Sequence, residues 1–188
     1  MKPAIKYILL FFGAFFLYMN NAFAQWEEGE LNVSFSLPPV ALVDIEPDAN
    51  NSIHFTVLPA AESGASPQIK RITNQTLWLN YSSALVNPQN TRTIVAEIAG
   101  GGLPDGVSLN VEALSHEGKG GGQFGQPTGK VSLSNQPKAI ITNVGNCFTG
   151  DGVNNGHPLT FSIEVSDYSK ISAASESSFT ILYTLSDN

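Results

Sequence analysis

Between Pro158 and Leu185 the chain alternates apolar and polar residues in two long runs joined by a polar, serine-rich connection. Leu159, Phe161, Ile163 and Val165 share one parity, and Phe179, Ile181, Tyr183 and Leu185 repeat the pattern. A period of two puts every second side chain on one side of a pleated strand, so each run predicts a half-buried strand against a core. The same alternation predicts a first strand at Leu31, Val33, Phe35 and Leu37, stopped where Pro38 and Pro39 remove two backbone donors. Further strands are expected at Ile53, Phe55 and Val57, ending at Pro59; at Leu77, Leu79 and Tyr81; at Ile94, Ala96 and Ile98; and at Val107, Leu109, Val111 and Ala113. Short strands near Lys130 to Leu133 and Ala139 to Val144 complete the set. The stretches Asp44 to Asn51, Ala60 to Pro67, the glycine-rich Gly118 to Gly129 and Cys147 to Gly156 read as turns and loops.

About nine short strands with Gly and Pro in the gaps, and no window of 3.6 periodicity, point to an all-β fold. The expected architecture is an immunoglobulin-like two-sheet sandwich with Greek-key connections; a barrel is the second choice.

The first twenty-four residues follow a different rule. Lys2 and Lys6 precede an uncharged apolar run from Tyr7 to Leu17, and Ala22-Phe23-Ala24 supplies small residues where a signal peptidase reads. Residues 1–24 are therefore expected to be a cleaved signal peptide, because the run is too short for the roughly 20 apolar residues that span a bilayer. Residues 25–188 then form one domain, exported to the periplasm, the outer surface or the medium. Cleavage removes Lys2 and Lys6, leaving seven basic against sixteen acidic residues and a net charge of −9 with histidines neutral. Such a chain repels phosphate backbones, which argues against nucleic acid as a partner. Cys147 is the only cysteine, so no internal disulfide forms and burial must hold the fold.

Motifs with chemical content are few. Gly120, Gly122 and Gly125 match G-x-G-x-x-G, but no helix pattern follows to bring a helix start to a pyrophosphate, so a glycine-rich loop is expected. Asp44, Glu46 and Asp48 alternate as calcium ligands do, yet Ala49 and Phe55 stand where an EF-hand loop needs glycine and glutamate. Asp151, Asn154 and Asn155 offer oxygens in a second loop, and turn chemistry accounts for both sets. His54, His116 and His157 are far apart in sequence, with no histidine pair at metal-ligand spacing. No nucleophile motif is present, and Cys147 reads as a small buried residue. No metal, no cofactor and no catalytic residue is expected. Trp78 is the one residue singled out as a ligand platform. If Leu77 and Leu79 face the core, its ring projects from the outer face, where it would stack on a sugar, unless a loop covers it.

The ending Phe179-Thr-Ile-Leu-Tyr-Thr-Leu-Ser-Asp187 resembles the last strand of bacterial cell-surface WxL-type domains. The signal peptide with a sandwich is similar to the plan of fimbrial or spore-coat-U-type subunits, and Gly145 to Gly150 with Gly156 to Phe161 resembles exported proteins of that kind. The chain departs from these patterns at Trp78-Leu79-Asn80, which lacks the second leucine of a Trp-x-Leu motif, and at Cys147, which has no disulfide partner. The resemblance implies a secreted, non-enzymatic surface or fimbria-like subunit that binds other surface proteins, with the Leu31–Leu37 strand either paired at home or exchanged between copies. The alternative is a carbohydrate-binding module using Trp78 on a glycan, with Tyr81 or Tyr168 as a further platform residue.

Overall fold

A computed structural model describes residues 33–58, 60–71, 76–172 and 177–188. The signal-peptide expectation for residues 1–24 and the start of the Leu31–Leu37 strand lie outside them. The chain divides into two units, Met1–Ser36 and Leu37–Asn188. Of the first, residues 33–36 are described, and all four are exposed without regular structure.

The regular structure of the second unit is all-β among the described residues, apart from two short 3-10 turns at Asp48–Asn50 and Tyr168–Lys170. Its strands are β1 (Val40–Glu46), β2 (Phe55–Leu58), β3 (Gln68–Arg71), β4 (Leu77–Ala84), β5 (Arg92–Gly101), β6 (Val107–Ala113), β7 (Gly121–Gly122), β8 (Gln126–Pro127), β9 (Val131–Ser132), β10 (Lys138–Val144), β11 (Cys147–Phe148), β12 (His157–Val165) and β13 (Phe179–Asp187). The larger sheet runs β7-β11-β4-β12-β6-β9, with β1 along the other edge of β4; a second runs β13-β5-β10-β8, and β2 and β3 form a separate hairpin.

Inward residues of both large sheets belong to one apolar cluster. Leu77, Leu79 and Tyr81 of β4, Leu109, Val111 and Ala113 of β6, and Leu159 and Phe161 of β12 meet Ile94, Ala96 and Ile98 of β5 and Ile140, Ile141 and Val144 of β10. Two sheets sharing one core is the packing of a sandwich.

The first strand differs from the expectation. Residues 33–39 carry no strand, and the first one begins at Val40, directly after the two prolines. Proline excludes a ladder N–H only at its own position, so Pro38 and Pro39 mark the start of a strand as readily as its end. Asp44 and Glu46, read as part of a polar turn, are outward residues of β1, while Val43 and Ile45 pack against the core opposite Tyr81 and Leu79. In β10 the register against β5 shifts between Ala139 and Ile141, so Ile140 is an extra residue and both adjacent isoleucines are buried. Strict alternation cannot produce that pair.

Arg92 closes the side where β1 and β13 come near each other. Its buried guanidinium donates to the Val40 carbonyl of β1, to Ser83 Oγ at 3.2 Å and to Asp187 of β13 at 2.6 Å. No helix among the described residues is long and apolar enough to cross a membrane.

Candidate functional site

The most elaborated surface lies over the middle of β4, where one edge of that strand is shared by two partners. His157, Pro158 and Leu159 of β12 pair with Leu79, Trp78 and Leu77, while Cys147 and Phe148 of β11 pair with Ser83 and Ser82. Between them the chain leaves the sheet at Thr149 and returns at Gly156. The break in the ladder is bridged by one residue: Thr149 Oγ1 accepts from Tyr81 N–H at 2.9 Å, and the Thr149 backbone N–H donates to the Tyr81 carbonyl at 3.0 Å. Asn80 Nδ2 donates to the Gly152 carbonyl at 3.0 Å, and Asn155 Oδ1 accepts from Lys119 N–H at 2.9 Å, so the excursion is held at several points. Gly156 sits at φ +84°, and a Cβ there would lie 2.3 Å from the Leu79 carbonyl oxygen. Only glycine lets the chain re-enter so close to β4.

Register arranges the outer face in rows. Leu42 stands opposite Ser82, Ser82 opposite Phe148, and Phe148 opposite Gly121, so these four residues cross β1, β4, β11 and β7 on one face. Gly121 has no side chain, and the Phe148 ring passes over it. In the next row Asp44 stands opposite Asn80, and the excursion carrying Gly150 and Asp151 rises beside them. Together they enclose an open cavity of about 490 Å³ lined by Leu42, Asp44, Asn80, Ser82, Phe148 and Asp151 with adjoining backbone.

Beneath this floor lies a buried polar cluster. His157 Nδ1 donates to the Leu114 carbonyl at 2.7 Å, which places the ring hydrogen on Nδ1 and leaves Nε2 facing Tyr81 Oη at 2.9 Å. The Phe124 carbonyl also lies within hydrogen-bond reach of Tyr81 Oη, so the single phenol hydrogen serves one of these two acceptors at a time. His116 stacks on Phe124 with centroids 3.7 Å apart, lies edge-on to His157 at 5.7 Å, and its Nε2 is 3.1 Å from the Thr149 carbonyl. Burial lowers the His157 pKa below its ordinary 6.5; the bond to Leu114 opposes this and the His116 neighbour adds to it. Burial also carries the Tyr81 phenol above its usual range, with Cys147 adding to the rise, and pushes the Cys147 thiol up to about 11. Burial thus favours the uncharged form of all three groups in this cluster.

The expected candidates fare as follows. Trp78 does project from the outer face, in the row of Glu46 and Pro158, but it is only 7% exposed, so its ring offers no open plane for stacking. His116 and His157, separate in sequence, meet in space, whereas His54 lies apart near the β2–β3 hairpin. Asp44 and Asp151, read as members of two unrelated turns, line one cavity. Cys147 is buried in the core cluster. The glycine-rich stretch forms β7 and leads into β8, and Gly122 accommodates the Asn146 carbonyl, whose oxygen a Cβ would approach to 2.1 Å. Among the described residues no three of His, Cys, Asp and Glu are grouped to hold a metal ion. The meeting of Asp44 with Asp151 left no local signal, because it depends on β11 pairing with β4. An apolar groove of about 760 Å³ runs between the β2–β3 hairpin and Leu103, Val107, Ile163 and Phe179.

No family model matches the chain, and neither a curated protein nor a solved structure matches it.

Proposed function

We propose that the chain is an exported, non-enzymatic subunit of a cell-surface or fimbria-like structure. In this reading residues 1–24 are its signal peptide, the folded body is an immunoglobulin-like sandwich, and copies join by strand exchange. The observation that carries the reading is the edge of β13. This nine-residue strand pairs with β5 on one side, and among the described residues nothing pairs with the other. From Phe179 to Ser186 it contains no charge and no proline, and Leu182 is 46% exposed. Edges of that length and composition invite another strand unless charge, proline or a cover prevents it. The fitting occupant is the Leu31–Leu37 segment of a neighbouring copy, whose Val33, Phe35 and Leu37 are 81%, 87% and 68% exposed at alternate positions. Main-chain bonds would supply affinity and the alternate side chains specificity. The glycan reading on Trp78 loses its support with the ring covered.

The test is the mass of protein lacking residues 1–24 as a function of concentration. Full-length mature protein should form chains, while deletion of 25–37 should give monomers that bind a Leu31–Leu37 peptide. Leu182→Lys, which puts a charge beside the free edge, should reduce that binding. A full-length protein that stays monomeric throughout, with a truncated form that ignores the peptide, overturns the proposal.

A further inference from the structure

The polar cluster beneath β4 is one hydrogen short. Three acceptors converge on the Tyr81–His157 pair: the Leu114 carbonyl, His157 Nε2 and the Phe124 carbonyl. The pair supplies two hydrogens, one on His157 Nδ1 and one on the phenol. The first is committed to Leu114 at 2.7 Å, so the second is divided between Nε2, 2.9 Å away, and Phe124. His157 and Tyr81 are 1% and 3% exposed, which keeps bulk water from making up the deficit. The groups are also held in place independently of one another. Tyr81 lies in β4 and His157 in β12, where the register sets His157 opposite Leu79. Phe124 is positioned by Gly125, which at φ +82° packs so closely against β10 that a Cβ would lie 2.4 Å from the Thr142 carbonyl oxygen.

One added proton removes the deficit. Placed on His157 Nε2 it donates to Tyr81 Oη, the phenol hydrogen turns to Phe124, and all three acceptors are filled. We infer that the pair is an acid-operated clasp: proton uptake from solvent at His157 of the folded protein swings the phenol hydrogen onto the Phe124 carbonyl and ties residues 123–125, between β7 and β8, to β4. Two other titratable groups pack against the pair. His116, from the segment after β6, lies edge-on to His157 at 5.7 Å, and Cys147 of β11 acts on Tyr81. Glu117 meets Gly156 through backbone bonds, and its side chain is exposed. The new charge is therefore held by hydrogen bonds to neutral groups, against burial and the His116 neighbour, which together delay uptake to below pH 6.5. Because the Phe124 ring stacks on His116, and His116 Nε2 is 3.1 Å from the Thr149 carbonyl, the clasp also steadies the excursion between Thr149 and Gly156. It is independent of the β13 edge and of strand exchange.

Carbon and nitrogen NMR of the mature protein, titrated from about pH 7.5 to 4, reads both ends of the clasp. The His157 ring signals should move to the charged form while the rest of the spectrum stays that of the folded protein, and the Phe124 carbonyl carbon should shift with the same midpoint. Tyr81→Phe should hold the Phe124 carbonyl signal still and lower the His157 midpoint, because Nε2–H then has no acceptor. His116→Gln leaves the phenol in place and removes the neighbour that opposes the charge, so it should raise the midpoint and carry the Phe124 shift with it. That variant decides the matter should Tyr81→Phe fail to fold. A His157 ring that stays neutral until the protein unfolds, a Phe124 carbonyl that does not follow the His157 titration, or a folded Tyr81→Phe with an unaltered midpoint overturns the clasp.

Discussion

β4 and β13 carry the same inward pattern of apolar residues and a single inward tyrosine each, yet the fold uses them in opposite ways. β4 has partners on both edges, and from Leu77 to Tyr81 every residue is buried. Among the described residues β13 has one partner, and its inward residues Phe179, Ile181, Tyr183 and Leu185 are each only half-buried. The hydroxyls differ as well: Tyr81 Oη meets Phe124 and His157, whereas Tyr183 Oη is buried with no partner among the described residues. Alternation therefore reports which face a residue takes, and strand order decides how completely that face is covered.

The largest expected effect is at Leu79, which has no exposure and lies in the centre of β4. Leu79→Ala should cost about 2–5 kcal/mol in urea unfolding, and Leu185→Ala on β13 clearly less. Equal losses would break the contrast.

Next comes Thr149→Val, which keeps the shape but strips the acceptor from Tyr81 N–H. Leaving that buried N–H unpaired should cost about 1–3 kcal/mol, while Thr184→Val on the exposed face of β13 stays within about 0.5 kcal/mol.

Acidification probes β4's side of the comparison through His157. Its folded pKa lies below the ordinary 6.5, so on lowering the pH the unfolded chain takes up a proton before the native one does. Stability is complete above 6.5 and falls below it, with a slope of at most about 1.4 kcal/mol per pH unit from this group. His157→Gln should flatten that slope in melts from pH 7.5 to 5; an unchanged slope would assign the acid sensitivity elsewhere.

The smallest effect separates the two tyrosines. Tyr183→Phe removes a hydroxyl that bonds nothing among the described residues and should change stability by about 0.5 kcal/mol or less. Tyr81→Phe removes the hydroxyl whose single hydrogen serves His157 Nε2 or the Phe124 carbonyl and should cost more, about 1–2 kcal/mol. Matching values would mean that the Tyr183 hydroxyl finds a partner in solution.

Period-two patterning located β5, β6, β12 and β13 and their inward residues well, because each keeps strict alternation over several residues. It missed β1 because Pro38-Pro39 and the acids of Asp44 to Asp48 carry the composition of a turn, although Val43 and Ile45 hold the strand parity. It missed the burial of both Ile140 and Ile141, which needs a bulge. Little of the cavity was legible: Asp44 and Asp151 are more than a hundred residues apart, and only long-range pairing through β4 and β11 makes them neighbours. For Trp78 the outward direction could be read from its parity, but not the cover, which depends on what lies across the strands.

Arg92 ties the first carbonyl of β1 to the carboxylate near the end of β13. A pulling force applied between Val40 and Asp187 would therefore meet Arg92 first and then peel β1 from β4 and β13 from β5, breaking one rung at a time. A pull carried along β13 by a strand laid on its free edge would strain all the rungs between them together. In the chain of copies proposed above, a subunit drawn through that edge would share the load over the whole β13–β5 ladder instead of one rung at a time.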